Sequence, residues 1–144
     1  MARVSTWYHM AGNCEEAFLF YKSVFKTEFI GPITRFRDVP VQAGMPTFSP
    51  AEANKIMHIA LPTIGEHVIM GNDVPDFMGK ITLGNNVTMN LEPDTRAEVD
   101  YFFAALKEGG KVEIEPCEMF WGGYYFSLID RFGNEWMCNC MAKE

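Results

Sequence analysis

Histidine is the residue type in this chain that is best suited to proton chemistry, because its side chain titrates near neutral pH. His58 lies in the apolar run 56–61, which predicts a partly buried position in a strand. Two roles are open for it: a core histidine hydrogen-bonded to its surroundings, or a general base or polar anchor in a cavity. His9 is expected to face the helix or solvent, and His67 to be exposed after a turn at Gly65. The three histidines lack a metal-binding spacing such as His-x-x-x-His.

Trp121 is the second candidate, within the run Phe120-Trp121-Gly122-Gly123. It could form a stacking wall for a planar ligand, since the adjacent glycines allow a ligand to approach the backbone closely. The alternative is a large plug that seals one end of a sheet. The sequence leaves both roles open.

The cysteines indicate a reducing compartment rather than a disulfide framework. Cys138 and Cys140 point the same way on one predicted strand, where we expect buried, unreactive thiols. Cys14 falls in the first turn of a predicted helix, where the helix dipole could lower its pKa, but no basic partner is evident. A structural role is the expectation for Cys14.

The elements that must position these residues occur twice. A strand and an amphipathic helix are followed, after further strands, by a hairpin with glycine at its turn. In the first copy the predicted elements are a strand 4–10, a helix 12–25 capped by Asn13, a strand 28–36 broken by Gly31-Pro32, a loop 38–54 and a hairpin 56–72, followed by a linker 73–86. In the second copy they are a strand 86–91, a helix capped by Asp94 and ended by Gly109-Gly110, a strand 111–115, a turn at Pro116 and a hairpin 124–141. One copy alone cannot bury its sheet, so modules of about residues 1–75 and 84–144 should pack as a single domain around a small-molecule cavity.

Composition narrows the range of partners. The 144 residues fit one domain, and a hydrophobic content of 48% is enough for a core. A net charge of −7 argues against nucleic acid and anionic membrane surfaces. No window approaches the roughly 20 apolar residues of a membrane span, and no signal-peptide pattern is present. A cytoplasmic protein without a membrane partner is the prediction.

Several motifs together resemble the PhnB-like branch of the glyoxalase/bleomycin-resistance/dioxygenase superfamily. They are Gly12-Asn13-Cys14-Glu15-Glu16-Ala17, Lys55-Ile56-Met57-His58, Val68-Ile69-Met70-Gly71-Asn72-Asp73, Gly109-Gly110-Lys111-Val112, Phe120-Trp121-Gly122 and Asp130-Arg131-Phe132-Gly133-Asn134-Glu135-Trp136-Met137. The resemblance covers nearly the whole chain. It implies an α+β vicinal-oxygen-chelate fold, in which two tandem βαβββ modules form a curved sheet around a cavity.

The resemblance also implies where a catalytic metal would bind. Metal enzymes of the superfamily take His, Gln or Glu ligands from the first and last strand of each module. These positions here are Thr6, Met70 (or Ile69, one residue earlier), Thr88 and Met137. A neutral hydroxyl or a thioether is a poor ligand for a hard divalent ion. We therefore expect no catalytic metal and no other cofactor.

Strand alternation places Thr6 with Tyr8, Thr88 with Asn90, and Met137 with Asn139 on shared faces. The predicted ligand-binding residues are Thr6, Tyr8, His58, Met70, Thr88, Asn90, Trp121, Met137 and Asn139. Such a pocket would bind a small apolar or aromatic molecule. The alternative is an enzyme of the glyoxalase/dioxygenase type acting on a carbonyl or vicinal-oxygen substrate, with a divalent metal or with His58 as base.

The PhnB-like branch is often labelled a demethylubiquinone methyltransferase, which the glycines do not support. Gly109-Gly110 follows a helix and Gly122-Gly123 opens a strand, so neither forms the strand–glycine turn–helix cradle of a nucleotide-type cofactor. Methyl transfer is therefore not expected. A homodimer is expected, because pairing of two chains would cover exposed sheet edges.

Overall fold

The computed structural model describes residues 2–45 and 47–142. The chain divides into two compact units, residues 1–82 and 83–144. Each unit contains one four-stranded mixed sheet and a long helix that packs against it.

The first unit contains β1 (Thr6–Met10), α1 (Cys14–Phe25), β2 (Thr34–Arg35), the short helix α2 (Pro50–Ala53), β3 (Ile56–Pro62) and β4 (Val68–Asp73). Its strands lie in the order β1-β4-β3-β2. β1 runs parallel to β4, whereas the β4–β3 and β3–β2 pairs are antiparallel.

The second unit contains β5 (Met89–Leu91), α3 (Arg96–Leu106), β6 (Lys111–Glu118), β7 (Tyr124–Ile129) and β8 (Glu135–Cys140). The order β5-β8-β7-β6, with β5 parallel to β8, repeats that of the first unit. The predicted α+β class and the two tandem βαβββ modules are confirmed.

Helix α1 buries the stripe that its sequence predicts. Its fully buried side chains are Cys14, Ala17, Phe18, Tyr21 and Val24, and Phe25 is nearly so. This 3–4 residue spacing places them on one side of a helix. The helix ends at Lys26, whose left-handed backbone lets its N–H donate to the Lys22 carbonyl.

A buried carboxylate joins three parts of the first unit. Asp73, at the end of β4, is only 2% exposed. Its Oδ1 accepts the backbone N–H of Gly12 at 2.9 Å and of Cys14 at 3.0 Å, and its Oδ2 accepts that of Ile56 at 2.9 Å. The side chain therefore fixes the start of α1 and the start of β3 against the end of β4.

The second long helix starts one residue later than predicted. Its N-cap is Thr95, not Asp94, and the Thr95 hydroxyl accepts the N–H of Glu98. The same hydroxyl donates to the Glu98 carboxylate at 2.9 Å. Thr95-x-x-Glu98 matches the capping-box sequence found at helix N-termini. Thr95, rather than the neighbouring Asp94, therefore occupies the N-cap position.

Two predicted strand boundaries were wrong because of proline and glycine. Of the predicted strand 28–36 only β2 forms: the break expected at Gly31-Pro32 is present, with φ of 69° at Gly31, but residues 28–30 form no strand and the chain enters a 3-10 turn at Phe36. Pro116 does not end its strand: β6 continues to Glu118, with register shifts between Val112 and Ile114 and between Ile114 and Cys117. A proline is tolerated there because β6 is an edge strand.

The remaining differences lie at element ends and in the long loop. The strands predicted at 4–10 and 86–91 begin later, at Thr6 and Met89. The predicted loop 38–54 contains α2, capped by Ser49, and its Pro46 lies outside the described residues. In the part of the chain that the structure describes, no helix is long and apolar enough to cross a membrane.

Candidate functional site

One face of the first sheet packs against α1, and the other face points away from this helix. A Cβ on Gly71 would lie 2.6 Å from Phe18 Cε1, so this position of β4 directly faces the helix. On β1, the ring of Tyr8 lies 6.2 Å from that of Tyr21 in α1. Tyr8 pairs with Gly71 and Thr6 with the buried Ile69, which places all four residues on the helix side.

The structure therefore corrects the predicted face of β1. Thr6 and Tyr8 lie on the side of α1, and the Thr6 hydroxyl is hydrogen-bonded to His67 Nε2 at 2.9 Å. Trp7 and His9 occupy the other side, which we call the α1-distal face. The reason is strand alternation, in which a shift of one residue exchanges the faces.

Four side chains meet on the α1-distal face, and we call them the Trp7 cluster: Trp7, His9, His58 and Asn72. Trp7 Nε1 donates to Asn72 Oδ1 at 2.7 Å, and His9 Nδ1 lies 2.8 Å from the same oxygen. The Trp7 ring centroid lies 5.4 Å from that of His58 and 6.3 Å from that of His9. The Asn72 amide oxygen thus holds the rings of Trp7 and His9 in place, and the His58 ring is the third of the group.

Of the predicted site residues, His58 belongs to this cluster and Met70 lies beside it. Met70 pairs with Trp7 on one side and with Ala60 on the other, on the same face. His58 is half-buried and contacts the Trp7 ring. Among the described residues His58 has no side-chain hydrogen-bond partner, so it is not the hydrogen-bonded core histidine that was one of the two alternatives.

The second sheet carries a related arrangement on the face away from α3. Trp136, Cys138 and Cys140 are buried, whereas Met137 and Asn139 alternate with them and point away. Asn90 pairs with Met137, so Thr88 and Asn90 share that face. Strand alternation predicted these four positions correctly as one face.

Trp121 lies over this second face. Its Nε1 donates to Asn139 Oδ1 at 2.9 Å, and its ring lies 5.4 Å from that of Tyr125. The side chain remains 40% exposed. This exposure does not fit the alternative of a plug buried in the core.

In each module, an asparagine at the same position of the last strand accepts a hydrogen bond from a tryptophan ring. The hairpin pairs Pro62–Val68 and Ile129–Glu135 correspond, so Asn72 and Asn139 are equivalent residues of the last strands. Each accepts an indole N–H, from Trp7 on β1 or from Trp121 in the loop before β7. Sequence reasoning missed Trp7, because Thr6 and Tyr8 were assigned to this face of β1 in its place. Asn72 lies two residues after the predicted site residue Met70, so strand alternation places it on the same face.

The cysteine thiols are unlike those of a reactive site. Burial, followed by the negative charges of Asp73 and Glu15, raises the pKa of Cys14 well above its ordinary value. Burial, followed by Cys140 and Glu98, raises the pKa of Cys138 to about 12. The lowering considered for Cys14 from the helix dipole is thus outweighed by desolvation. All four cysteines are free, and only Cys117 is exposed.

The donor groups do not fit a catalytic metal. Within residues 2–45 and 47–142, no three His, Cys, Asp or Glu side chains come together in a way that could hold an ion. Thr6, one of the four ligand positions implied by the resemblance, is turned towards α1. Glu135 carries a carboxylate on the second sheet, where it accepts the Thr88 hydroxyl at 3.0 Å.

A surface depression of about 320 Å³ lies elsewhere in the first unit. It is lined by Lys55, Lys80 and Asp76 together with small and apolar residues. None of the predicted ligand-binding residues and none of the Trp7 cluster contributes to it.

Comparison with known proteins assigns the family. A model of the Glyoxalase/Bleomycin resistance protein/Dioxygenase superfamily matches residues 9–138, and the chain belongs to this superfamily. Protein YjdN of Escherichia coli (strain K12) is 25% identical, over 98% of this chain and 97% of its own length.

Two solved structures share the fold over nearly the whole chain. Protein PA1353 from Pseudomonas aeruginosa is 28% identical with a TM-score of 0.81, covering 97% of this chain and 98% of that one. The PhnB protein from Bacillus cereus is 20% identical with a TM-score of 0.73, covering 96% and 99%.

Proposed function

We propose that the α1-distal face of the first sheet binds a small molecule with a planar aromatic group, stacked against Trp7. The observation that carries this proposal is that Trp7 is 43% exposed although its ring is held in place. A large apolar surface whose orientation is fixed in advance loses little conformational entropy when a ligand binds.

The surroundings of Trp7 support the same class of ligand. Met70 and Ala60 provide an apolar floor in the adjacent strands, and His58 and His9 provide polar ring edges. Mostly apolar walls with a few oriented polar groups are typical of small-molecule sites. The proposal requires no metal, in keeping with the donor groups of the described residues.

We further propose that the chain belongs to the PhnB-like branch of its superfamily. The support is the motif set together with the fold shared with the Bacillus cereus PhnB protein.

The name of that protein suggests a 3-demethylubiquinone-9 3-methyltransferase, an activity that we do not propose for this chain. The glycine pairs of this chain do not form a nucleotide cradle, since Gly110 directly precedes the strand β6 and Gly123 directly precedes the strand β7. The four free thiols support a reducing compartment such as the cytoplasm.

An enzyme acting on a carbonyl or vicinal-oxygen substrate is the second candidate. The observation in its favour is a histidine oriented by a hydrogen bond on the proposed binding face, as a general base would be. That histidine is His9, whose ring is hydrogen-bonded to Asn72. The sequence had indicated His58 as the candidate base instead.

The proposal can be tested by NMR of the indole N–H groups of Trp7, Trp121 and Trp136, assigned by Trp→Phe variants. In a screen of small aromatic compounds, we expect the bound compounds to shift the Trp7 signal and to leave the buried Trp136 signal unchanged. Trp7→Ala should abolish this binding, and Val41→Ala, which truncates a fully exposed apolar side chain of the first unit, should not. Compounds that shift only Trp121, or that bind Trp7→Ala normally, would contradict the proposal.

A further inference from the structure

Asn72 determines which nitrogen of the His9 ring carries a proton. An indole N–H can only donate, so the Asn72 atom 2.7 Å from Trp7 Nε1 is the amide oxygen. The amide nitrogen then faces the Asp73 carbonyl at 3.1 Å, which agrees. Because the same oxygen lies 2.8 Å from His9 Nδ1 and can only accept, Nδ1 must carry the hydrogen.

The other ring nitrogen is consequently an acceptor. When Nδ1 of a neutral imidazole is protonated, Nε2 has a free lone pair. In the part of the chain that the structure describes, His9 Nε2 has no hydrogen-bond partner, and the side chain is exposed. The His9 and Trp7 ring centroids are 6.3 Å apart, close enough for one aromatic ring system to touch both.

We propose that His9 Nε2 is the hydrogen-bond acceptor of the Trp7 cluster, and that the site selects planar aromatic ligands with an O–H or N–H donor at the ring edge. Phenols and indole-like N–H compounds belong to this class, and their methylated counterparts do not. The inference rests on the proposed function, since it assigns the ligand chemistry of the same face.

His58 does not have this property. Among the described residues its only specific contact is the ring contact with Trp7, which fixes neither tautomer. A hydrogen bond at one ring nitrogen is what sets the protonation of the other. His9 therefore provides the defined acceptor, and His58 contributes a ring surface.

The tautomer can be measured without any ligand, by long-range proton–nitrogen NMR of protein labelled in its histidine rings. For neutral His9, assigned by the loss of its signals in His9→Gln, we expect Nδ1 to be protonated and Nε2 unprotonated. Asn72→Ala should remove this preference. Protonation at Nε2 in the unaltered protein would overturn the inference.

The ligand class can be tested with a matched pair of probes, 2-naphthol and 2-methoxynaphthalene. One net hydrogen bond should favour the naphthol about three- to tenfold. In His9→Asn the side-chain amide can still donate to Asn72, in place of Nδ1, but there is no acceptor at the Nε2 position. We expect this variant to bind both probes equally, at the affinity of the methoxy compound in the unaltered protein. Val41→Ala should retain the preference.

The outcomes separate this inference from the proposed function. Equal binding of both probes by the unaltered protein would overturn the role of His9 and leave stacking on Trp7 intact. Binding of neither probe would overturn the stacking proposal and this ligand class with it. A preference that persists in His9→Asn would assign the acceptor to another residue.

Discussion

At the scale of single residues, Asp73 shows how one side chain substitutes for several backbone contacts. Removal of its carboxylate would leave the N–H groups of Cys14 and Ile56 without their acceptor in a buried environment, and that of Gly12 without its acceptor in a partly buried one. An unsatisfied buried donor costs about 1–3 kcal/mol. We expect Asp73→Ala to lower the free energy of unfolding by about 3 kcal/mol or more, as measured by denaturant titration.

Asp73→Asn provides the matched control. Its amide oxygen can still accept from two of the N–H groups, while its NH₂ opposes the third. The loss should therefore be clearly smaller than for alanine. Equal losses for the two variants would show that volume, rather than hydrogen bonding, explains the contribution of Asp73.

The cysteines provide a pH-dependent prediction at the same scale. Since the thiolate is the reactive form, a raised pKa keeps Cys138 and Cys14 protonated and unreactive at neutral pH, and Cys138 would ionise only near pH 12. The exposed Cys117 should be the single thiol modified by iodoacetamide in the native protein at pH 8, and all four should react after unfolding. Mass spectrometry gives the count. Native modification of Cys14 or Cys138 would contradict the burial of those thiols.

At the scale of elements, the contact of α1 with β4 depends on the absence of a side chain at position 71. A Cβ there would lie 2.6 Å from Phe18 Cε1 and 3.1 Å from the Tyr8 carbonyl. Gly71→Ala should therefore overpack the interface at a cost of about 1–3 kcal/mol, measurable as a lower melting temperature. The control is Ser23→Ala, on the exposed side of α1, which should be nearly neutral. Gly44→Ala is less suitable as a control, because the positive φ of Gly44 strains any other residue.

The helices and hairpins could be predicted from the sequence because their signals are local. The buried stripe of α1 and the alternation of Met137 and Asn139 with the buried residues of β8 need only periodicity. The face of β1 could not be predicted with the same certainty, since Thr6-Trp7-Tyr8-His9 has large or polar residues at every position. Only pairing with β4 and packing against α1 determine it.

The candidate site was missed for the same reason. Trp7, His9 and Asn72 are brought together by a parallel pairing of strands more than 60 residues apart in sequence. No local pattern encodes such a register. Pro116 is a comparable case, because its tolerance within β6 follows from the edge position of that strand in the sheet.

At the scale of the whole molecule, the donor groups lead to a prediction about metal. Protein purified without an affinity tag should contain no stoichiometric Zn, Ni, Mn or Fe by elemental analysis. Addition of these ions should leave the melting temperature unchanged, because a ligand stabilises only a protein that binds it. About one ion per chain, lost on chelation together with ligand binding or activity, would contradict the prediction.

We also expect a homodimer, for which the structure suggests a surface in the second unit. The edge strand β6 is protected against pairing by Lys111, Glu113, Glu115 and Pro116. By contrast, Phe120, Trp121 and Met141 leave apolar side chains exposed, and the Phe120 and Trp121 rings are 5.1 Å apart. Neighbouring exposed apolar side chains are characteristic of protein contact surfaces.

Light scattering at micromolar concentration should give about twice the chain mass of 16.4 kDa. Phe120→Asp should shift the mass towards that of the monomer, because it places a charge in the apolar contact. Val41→Asp, at an equally exposed residue of the first unit, should leave the dimer intact. A monomeric mass for the unaltered protein would refute the homodimer, whereas a dimer that tolerates Phe120→Asp would move the contact to another surface.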